Sequence, residues 1–245
     1  AMRFAKLKLK KRQRVPHGKQ ARSVRSSRAH NPATARPNTH QQEAIHMSTN
    51  MNDKHGATDV VSADEAIKRL REGNARYLEA ETAQGDVSSQ IRRSTFEEGQ
   101  HPFAIVLACS DSRVIPEAIF SAGIGDLFTI RVAGNVVDNH QLGSVEYAES
   151  HLNCKLVVVL GHTGCGAVDA AMHHEPYGTV KFITDEISDA IGNEADEATA
   201  CLMNVAHSVK RIEESRQLRD DEVNNGLRVI GALYHTDTGV VEFLE

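Results

Sequence analysis

Two short polar segments contain the side chains best suited to bind a metal ion. One is Cys109-Ser-Asp-Ser-Arg113 and the other is His162-Thr-Gly-Cys165. Two thiolates and one imidazole suit Zn²⁺, which takes sulfur and nitrogen ligands in a tetrahedral arrangement. Three protein ligands leave one coordination position open, which is typical of catalytic rather than structural zinc sites. The residue types therefore predict a catalytic zinc site at Cys109, His162 and Cys165.

Asp111 and Arg113 lie in the same segment as the first thiolate. An arginine fork can bind both oxygens of a carboxylate. Asp111 then has two possible roles: it is the fourth metal ligand, or it pairs with Arg113 and accepts a hydrogen bond from a water on the metal. A phosphatase-like use of Cys109 is excluded, because Arg113 is too close for the C-x5-R spacing of that site.

Apolar runs and helical segments alternate around these two segments. The runs are typical of strands buried on both faces, and they cover Phe103–Ala108, Leu127–Val132, Lys155–Leu160 and Arg228–Tyr234. The helical segments cover Ser62–Glu79, a short stretch before Gln100, Pro116–Ala122, His140–Leu152 and a long region from Gly166 to about Leu218. After a tight turn at Thr236–Gly239, the residues Val240–Leu244 should return as an antiparallel edge strand.

This alternation predicts an α/β fold: a central, mostly parallel β-sheet, with four parallel strands plus an antiparallel C-terminal edge strand, flanked by helices. The segment that begins at Cys109 follows the first strand, and the one that contains His162 follows the third. Ligands bind beyond the carboxyl ends of the strands in such sheets. The fold therefore predicts that the two metal-binding segments meet at one edge.

Charge divides the chain of 245 residues into two parts. Residues 1–46 contain twelve Lys and Arg against one acid, Glu43, whereas the remainder has 16 basic and 32 acidic residues. We interpret residues 1–56 as a basic, disordered extension and residues 57–245 as the catalytic domain. The extension could be a targeting peptide, a tether to an acidic surface, or a segment upstream of an effective start at Met47 or Met51; the last is favoured.

The acidic balance of the main part gives no reason to expect nucleic-acid binding. No apolar run approaches the roughly 20 residues that span a membrane, so no membrane association is expected. Four cysteines are too few for a disulfide framework in a chain of this length. These features favour the cytoplasm, although organellar targeting by the basic segment is not excluded.

The pair of motifs Cys109-Ser-Asp-Ser-Arg113 and His162-Thr-Gly-Cys165 resembles the signature of the β-class carbonic anhydrases, over residues from about 62 to the C-terminus. The resemblance implies reversible hydration of carbon dioxide to bicarbonate and a proton, with zinc hydroxide as the nucleophile. It also implies that Cys109, His162 and Cys165 are the zinc ligands. Asp111 and Arg113 are then the catalytic dyad.

The same resemblance assigns substrate-binding roles to Gln100, Phe128, Tyr147 and Gly166, with Gln100 pointing to the plant-type branch. Tyr147 corresponds to an aromatic residue that lines the neighbouring subunit's site, so a homodimer or a larger homo-oligomer, such as a tetramer, is expected. His151 corresponds to a proposed proton shuttle, but a helix-surface histidine without a role is an equal alternative.

Two other functions are compatible with parts of the sequence. The same zinc site could hydrolyse carbon disulfide or carbonyl sulfide, since pocket access decides the substrate. A structural zinc module with a basic arm for RNA or an acidic protein would need four protein ligands, and the acidic main part argues against it.

Overall fold

A computed structural model of the protein describes residues 60–80, 85–173 and 178–244. Its strands are β1 (Ala104–Ala108), β2 (Leu127–Arg131), β3 (Leu156–His162), β4 (Arg228–Tyr234) and β5 (Val241–Leu244). Its helices are α1 (Ala63–Glu79), α2 (Ser89–Glu98), α3 (Pro116–Ile119), α4 (Asn139–Leu152), α5 (Gly166–Met172), α6 (Lys181–Ile191), α7 (Glu197–Glu213) and α8 (Arg216–Asn225), with 3-10 turns at Ala133–Asn135 and Gly178–Val180.

The five strands form one sheet in the order β2-β1-β3-β4-β5. The pairs β1–β2, β1–β3 and β3–β4 are parallel, and β4–β5 is antiparallel. All residues of β1 and β3 are buried, as expected for the central strands of a parallel sheet that is covered on both faces. The predicted α/β fold, with its antiparallel C-terminal edge strand, is confirmed.

Alternate residues of the strands face two separate hydrophobic clusters. On one face, Val106 and Val158 pack with the apolar side of α1 and with α3. On the other face, Leu107 and Val159 pack with α4, α7 and α8. A third cluster at the carboxyl ends of the strands joins α5, α6 and α7 and includes Cys109. The first two clusters stabilise the sheet by burying both of its faces. The third cluster surrounds the carboxyl edge of the sheet, where ligands bind in folds of this kind.

Helix α1 begins just after Ser62, as the sequence predicts, and its apolar face packs within the same chain. The Ser62 hydroxyl accepts the Glu65 N–H at 3.3 Å, which caps the helix. Ala66 and Leu70 are fully buried against the sheet of the same chain. Their apolar face is therefore used within the protomer and is not available to a second copy.

A buried glycine lets α1 approach the turn after α3. A Cβ atom at Gly73 would lie 2.0 Å from the carbonyl oxygen of Phe120. The next residue, Asn74, donates to the carbonyls of Ile119 and Gly239 and accepts the Val241 N–H. These contacts join α1 to α3 and to the β4–β5 hairpin.

Two helical predictions differ from the structure in their extent. The region from Gly166 to Leu218 contains several helices; α6 ends at Ile191, just before Gly192, and α8 begins after Ser215, whose side chain caps it. The predicted helix Pro116–Ala122 ends at Ile119, because Ser121 has a positive φ of 47°.

The predicted extension 1–56 lies outside the described residues, so its role stays a prediction.

In the described part of the chain, no helix combines the length and the apolar character that a membrane crossing requires.

The Gly73→Ala substitution should destabilise the protein, although alanine favours helices by about 1 kcal/mol over glycine. The added methyl would push α1 away from Phe120, so we expect the free energy of unfolding to fall by about 1–3 kcal/mol. Urea unfolding followed by circular dichroism measures this change.

Ala75→Gly is the control, because Ala75 is exposed in the same helix and reports the helix propensity alone. A Gly73→Ala protein more stable than the wild type would contradict the close approach.

Candidate metal centre

Three buried side chains converge at the carboxyl ends of β1 and β3. The ligand atoms of Cys109, His162 and Cys165 all lie within 4.8 Å of one another. They are 4%, 1% and 1% exposed, so they face each other in a site from which water is largely excluded. Among the described residues this is the one group of three or more His, Cys, Asp or Glu side chains that could hold a metal ion.

Cys109 follows β1 directly, and its sulfur is surrounded by hydrogen-bond donors. The backbone N–H groups of Gly134 and Asp111 approach Cys109 Sγ at 3.2 and 3.4 Å. The hydrogen bond with Cys165 lowers the pKa of the Cys109 thiol, and those from the two N–H groups add to this effect, although burial opposes it. The site therefore stabilises a thiolate, which is the metal-binding form of cysteine.

His162 ends β3 and presents one nitrogen to the sulfur atoms. Its Nδ1 lies 3.0 Å from the carbonyl oxygen of Thr163, which can only accept, so Nδ1 carries the proton. Nε2 is buried and has no hydrogen-bond partner. A buried nitrogen lone pair without a partner is costly, and a metal ion between Nε2 and the two sulfur atoms would satisfy it. The residues therefore fit a metal ion.

Cys165 lies just before α5. The N–H groups of Val168 and Ala167 favour its thiolate, but the hydrogen bond to Cys109 and burial outweigh them and raise the pKa of the Cys165 thiol. Their mutual hydrogen bond thus lowers the pKa of Cys109 and raises that of Cys165, so it favours one thiolate and one thiol in the pair. Because metal binding needs both sulfur atoms deprotonated, it would release the remaining proton.

Asp111 and Arg113 form the predicted pair. Arg113 donates from Nε to Asp111 Oδ1 at 3.0 Å and from Nη2 to Asp111 Oδ2 at 2.8 Å. The Arg113 backbone N–H also donates to Oδ1 at 2.9 Å. These hydrogen bonds hold the pKa of Asp111 well below its usual range. Both oxygens of Asp111 are thus engaged by Arg113, and Asp111 is not part of the three-residue cluster.

Two arginines hold the loop of Cys109 in place. Arg113 Nη2 donates to the carbonyl of Gly164 at 2.8 Å and so ties the two metal-binding segments together. Arg131, the last residue of β2, donates to the carbonyls of Cys109 and Asp111 at 3.1 and 2.7 Å. The sequence interpretation gave Arg131 no role, although its place at the carboxyl end of the strand beside β1 was a usable signal.

Other predicted site residues lie together, but away from the metal cluster. The rings of Phe128 and Tyr147 are 6.1 Å apart, and His151 stacks on Tyr147 at 4.7 Å. Phe128 pairs with Ile105, which lies four residues before Cys109. Four strand residues place Phe128 about 13 Å from Cys109 along the strand. The three rings therefore lie toward the amino ends of the strands, opposite the metal cluster of the same chain.

Gln100 and Gly166 occupy different surroundings. Gln100 is exposed between α2 and β1, so it also precedes the strand at whose far end Cys109 lies. Gly166 is the first residue of α5, directly after Cys165. A Cβ atom at Gly166 would meet open space. Of the predicted substrate-binding residues, Gly166 alone is next to the metal cluster of its own protomer.

A parallel sheet with a Cys-His-Cys cluster at its carboxyl edge defines an α/β protein with a candidate metal centre. The sequence profile of the family described as "Carbonic anhydrase" matches residues 104–241. A carbonic anhydrase of Mycolicibacterium smegmatis is 35% identical over 189 residues, which are 72% of this chain and 91% of that protein. The chain therefore belongs to the carbonic anhydrase family, in its β class, and is an enzyme of that family.

Solved structures support the same fold. A Coccomyxa β-carbonic anhydrase in complex with acetazolamide has a TM-score of 0.58 and 25% identity, covering 64% of this chain and 78% of the other. One of two β-carbonic anhydrases of Sordaria macrospora, described as tetrameric, has a TM-score of 0.57 and 22% identity, covering 64% and 88%.

Substitution of any cluster residue should remove the metal. We expect Cys109→Ser, His162→Ala and Cys165→Ser proteins to lose bound zinc, since each leaves two ligands of the original three. Elemental analysis of purified protein after dialysis measures zinc per chain.

Cys154→Ser is the matched control. Cys154 is buried, and its thiol donates to the carbonyl of Pro102 at 2.9 Å, outside the cluster. We expect this variant to keep its zinc. If the three cluster variants keep as much zinc as the control, the metal is held elsewhere.

Proposed function

We propose that this carbonic anhydrase hydrates carbon dioxide reversibly with Zn²⁺ held by Cys109, His162 and Cys165. The observation that carries the proposal is the buried Nε2 of His162, which has no partner and faces two sulfur atoms within 4.8 Å. Two sulfurs and one nitrogen are a preferred donor set for zinc. Zinc in such a site supplies Lewis acidity that makes water nucleophilic near neutral pH.

Asp111 orients the attacking water in this proposal. Oδ1 of Asp111 accepts two hydrogen bonds from Arg113, whereas Oδ2 accepts one. Oδ2 therefore has capacity for one further donor. Because Arg113 keeps Asp111 ionised, the carboxylate only accepts, so a water beside it must direct a proton toward Oδ2. A lone pair of that water would then be free to attack the carbon of the substrate.

The engagement of Asp111 by Arg113 supports an open fourth coordination position. A carboxylate bound on both oxygens would have to break these hydrogen bonds to become a ligand. Arg113 would then lose a partner that it holds through two side-chain contacts. These hydrogen bonds thus favour Asp111 as an acceptor beside a bound metal rather than as one of its ligands.

The remaining pocket residues support a homo-oligomer. Phe128 lies about 13 Å along the strand direction from the metal cluster of its own chain, and the ring of Tyr147 is 6.1 Å from that of Phe128. Tyr147 is 47% exposed although it is aromatic, which suits a surface that meets another protomer. We propose a dimer as the minimum unit, in which these rings line the partner's site. The Sordaria macrospora proteins, which are described as tetrameric, support a larger assembly as a further step beyond the dimer.

His151 is proposed to carry protons to solvent. Ser150 Oγ donates to the carbonyl of Glu146 at 2.6 Å and lies 3.0 Å from His151 Nδ1. The hydroxyl has therefore used its proton and accepts from Nδ1, which leaves Nε2 of the neutral ring as a proton acceptor. The side chain is exposed at the edge of the ring cluster with Tyr147.

Replacement of Asp111 by asparagine should lower turnover and keep the metal. The amide has nearly the same shape, but it lacks the charge that binds Arg113 and can present a donor to the water. We expect kcat for carbon dioxide hydration to fall about 100-fold or more, with zinc content unchanged. Stopped-flow hydration with a pH indicator measures the rate.

Asp189→Asn is the control, since Asp189 is exposed on α6. Zinc loss in the Asp111→Asn protein would instead identify Asp111 as a ligand. A wild-type protein that turns over carbon disulfide or carbonyl sulfide but not carbon dioxide would overturn the proposed substrate.

Replacement of His151 by alanine should slow turnover about tenfold or more in weak buffer. Added imidazole should restore the rate, because it can accept the proton in place of the missing ring. Stopped-flow assays over a range of buffer concentrations measure this effect.

His140→Ala is the matched control, because His140 is an exposed histidine on the same helix. Rates that do not depend on buffer in the His151→Ala protein would remove the shuttle role.

A further inference from the structure

The loop that carries His162 is bound to the turn between β4 and β5 through two threonines. Thr236 N–H donates to Thr163 Oγ1 at 3.0 Å, and Thr236 Oγ1 donates to the Thr163 carbonyl at 3.2 Å. The two hydroxyl oxygens are 3.1 Å apart. The Thr163 N–H also donates to the carbonyl of Tyr234 at 3.0 Å. Thr163 is therefore held by Thr236 on its side chain and on its main chain.

The Thr163 carbonyl has a second partner, which is the metal-ligating imidazole. His162 Nδ1 lies 3.0 Å from this oxygen. One carbonyl oxygen can accept two hydrogen bonds, and here it accepts from His162 Nδ1 and from Thr236 Oγ1. The first fixes the tautomer that leaves Nε2 free for a metal. The second fixes the direction of the carbonyl itself.

The turn that presents Thr236 is itself held firmly. His235 N–H donates to the carbonyl of Val240, and Gly239 N–H donates to that of His235, both at 2.8 Å. Gly239 has a φ of 79°, which favours glycine, and its carbonyl accepts from Asn74 of α1. Thr236 thus belongs to a hairpin that is tied to the body of the protein.

We propose that Thr236 is a positioning residue for the zinc ligand His162. Its hydroxyl holds the Thr163 carbonyl, the carbonyl holds the proton on Nδ1, and Nε2 consequently points at the two thiolates. Outer hydrogen bonds of this kind change metal affinity by about 10–100-fold in metalloproteins. The inference deepens the proposed function and rests on its assignment of zinc to this cluster.

The test compares Thr236→Val, which keeps the shape and removes the hydroxyl, with Thr236→Ser, which keeps the hydroxyl. Zinc affinity of the full chain is measured by competition with a chromophoric chelator. We expect Thr236→Val to bind zinc about 10–100-fold more weakly and Thr236→Ser to restore most of the affinity. The Co²⁺-substituted protein should show altered visible absorption bands for the valine variant and wild-type bands for the serine variant.

Thr238→Val is the matched control, because Thr238 lies in the same turn and its Oγ1 accepts the Val240 N–H at 3.4 Å. Its zinc affinity should equal that of the wild type. Wild-type affinity and Co²⁺ bands in Thr236→Val would overturn the proposal. So would equal weakening by valine and serine, since the hydroxyl would then not be the cause.

If Thr236→Val does not fold, Thr236→Ala with the same serine comparison replaces it. These measurements need no turnover, so they separate this inference from the proposed reaction. A chain that binds zinc with the expected dependence on Thr236 but does not hydrate carbon dioxide would contradict the proposed function alone. A wild-type chain that binds no zinc at the cluster would contradict both.

Discussion

The parallel pairing of β1 with β3 is the constraint on which the metal centre depends. Ala108 pairs with Leu160, so Cys109 and His162 both emerge at the same edge of the sheet. Neither residue is near the other in sequence. A shift of the pairing by one residue would turn the alternating side chains of a strand to the opposite face. The observed register therefore sets the distance between the two candidate ligands.

Helices α6 and α7 pack closely against the carboxyl edge of the sheet and bury the candidate metal site there. A Cβ atom at Gly161 would lie 2.3 Å from Val205 of α7, and one at Gly134 would lie 2.7 Å from Ile187 of α6. These two glycines let the helices approach the ligand loops. Gly134 also has a φ of 69° and presents its N–H to the Cys109 sulfur. The close packing excludes water, which strengthens the attraction between a thiolate and a bound cation, and the Gly134 N–H stabilises the thiolate directly.

The sequence was most informative where the signal was local. The strands were predicted from short apolar runs and the candidate ligands from two short motifs, because both signals depend on neighbouring residues. The breaks within Gly166–Leu218 depend on caps such as Ser215 and on the positive φ of Gly192, which periodicity does not report. The pairing of Thr163 with Thr236 joins residues that are distant in sequence. No local pattern in a single sequence specifies which carbonyl a threonine will meet.

Each protomer has two different ends, and this asymmetry links catalysis to assembly in the proposed function. The candidate metal ligands and Asp111 lie at the carboxyl ends of the strands, whereas Phe128, Tyr147 and His151 cluster toward the amino ends. A rigid sheet cannot bring its two ends together within one chain. If the aromatic cluster lines a zinc site, a second copy must supply it, and a monomer would hold the metal without a complete pocket. Metal binding then depends on the fold of one chain, and substrate binding depends on the contact between two.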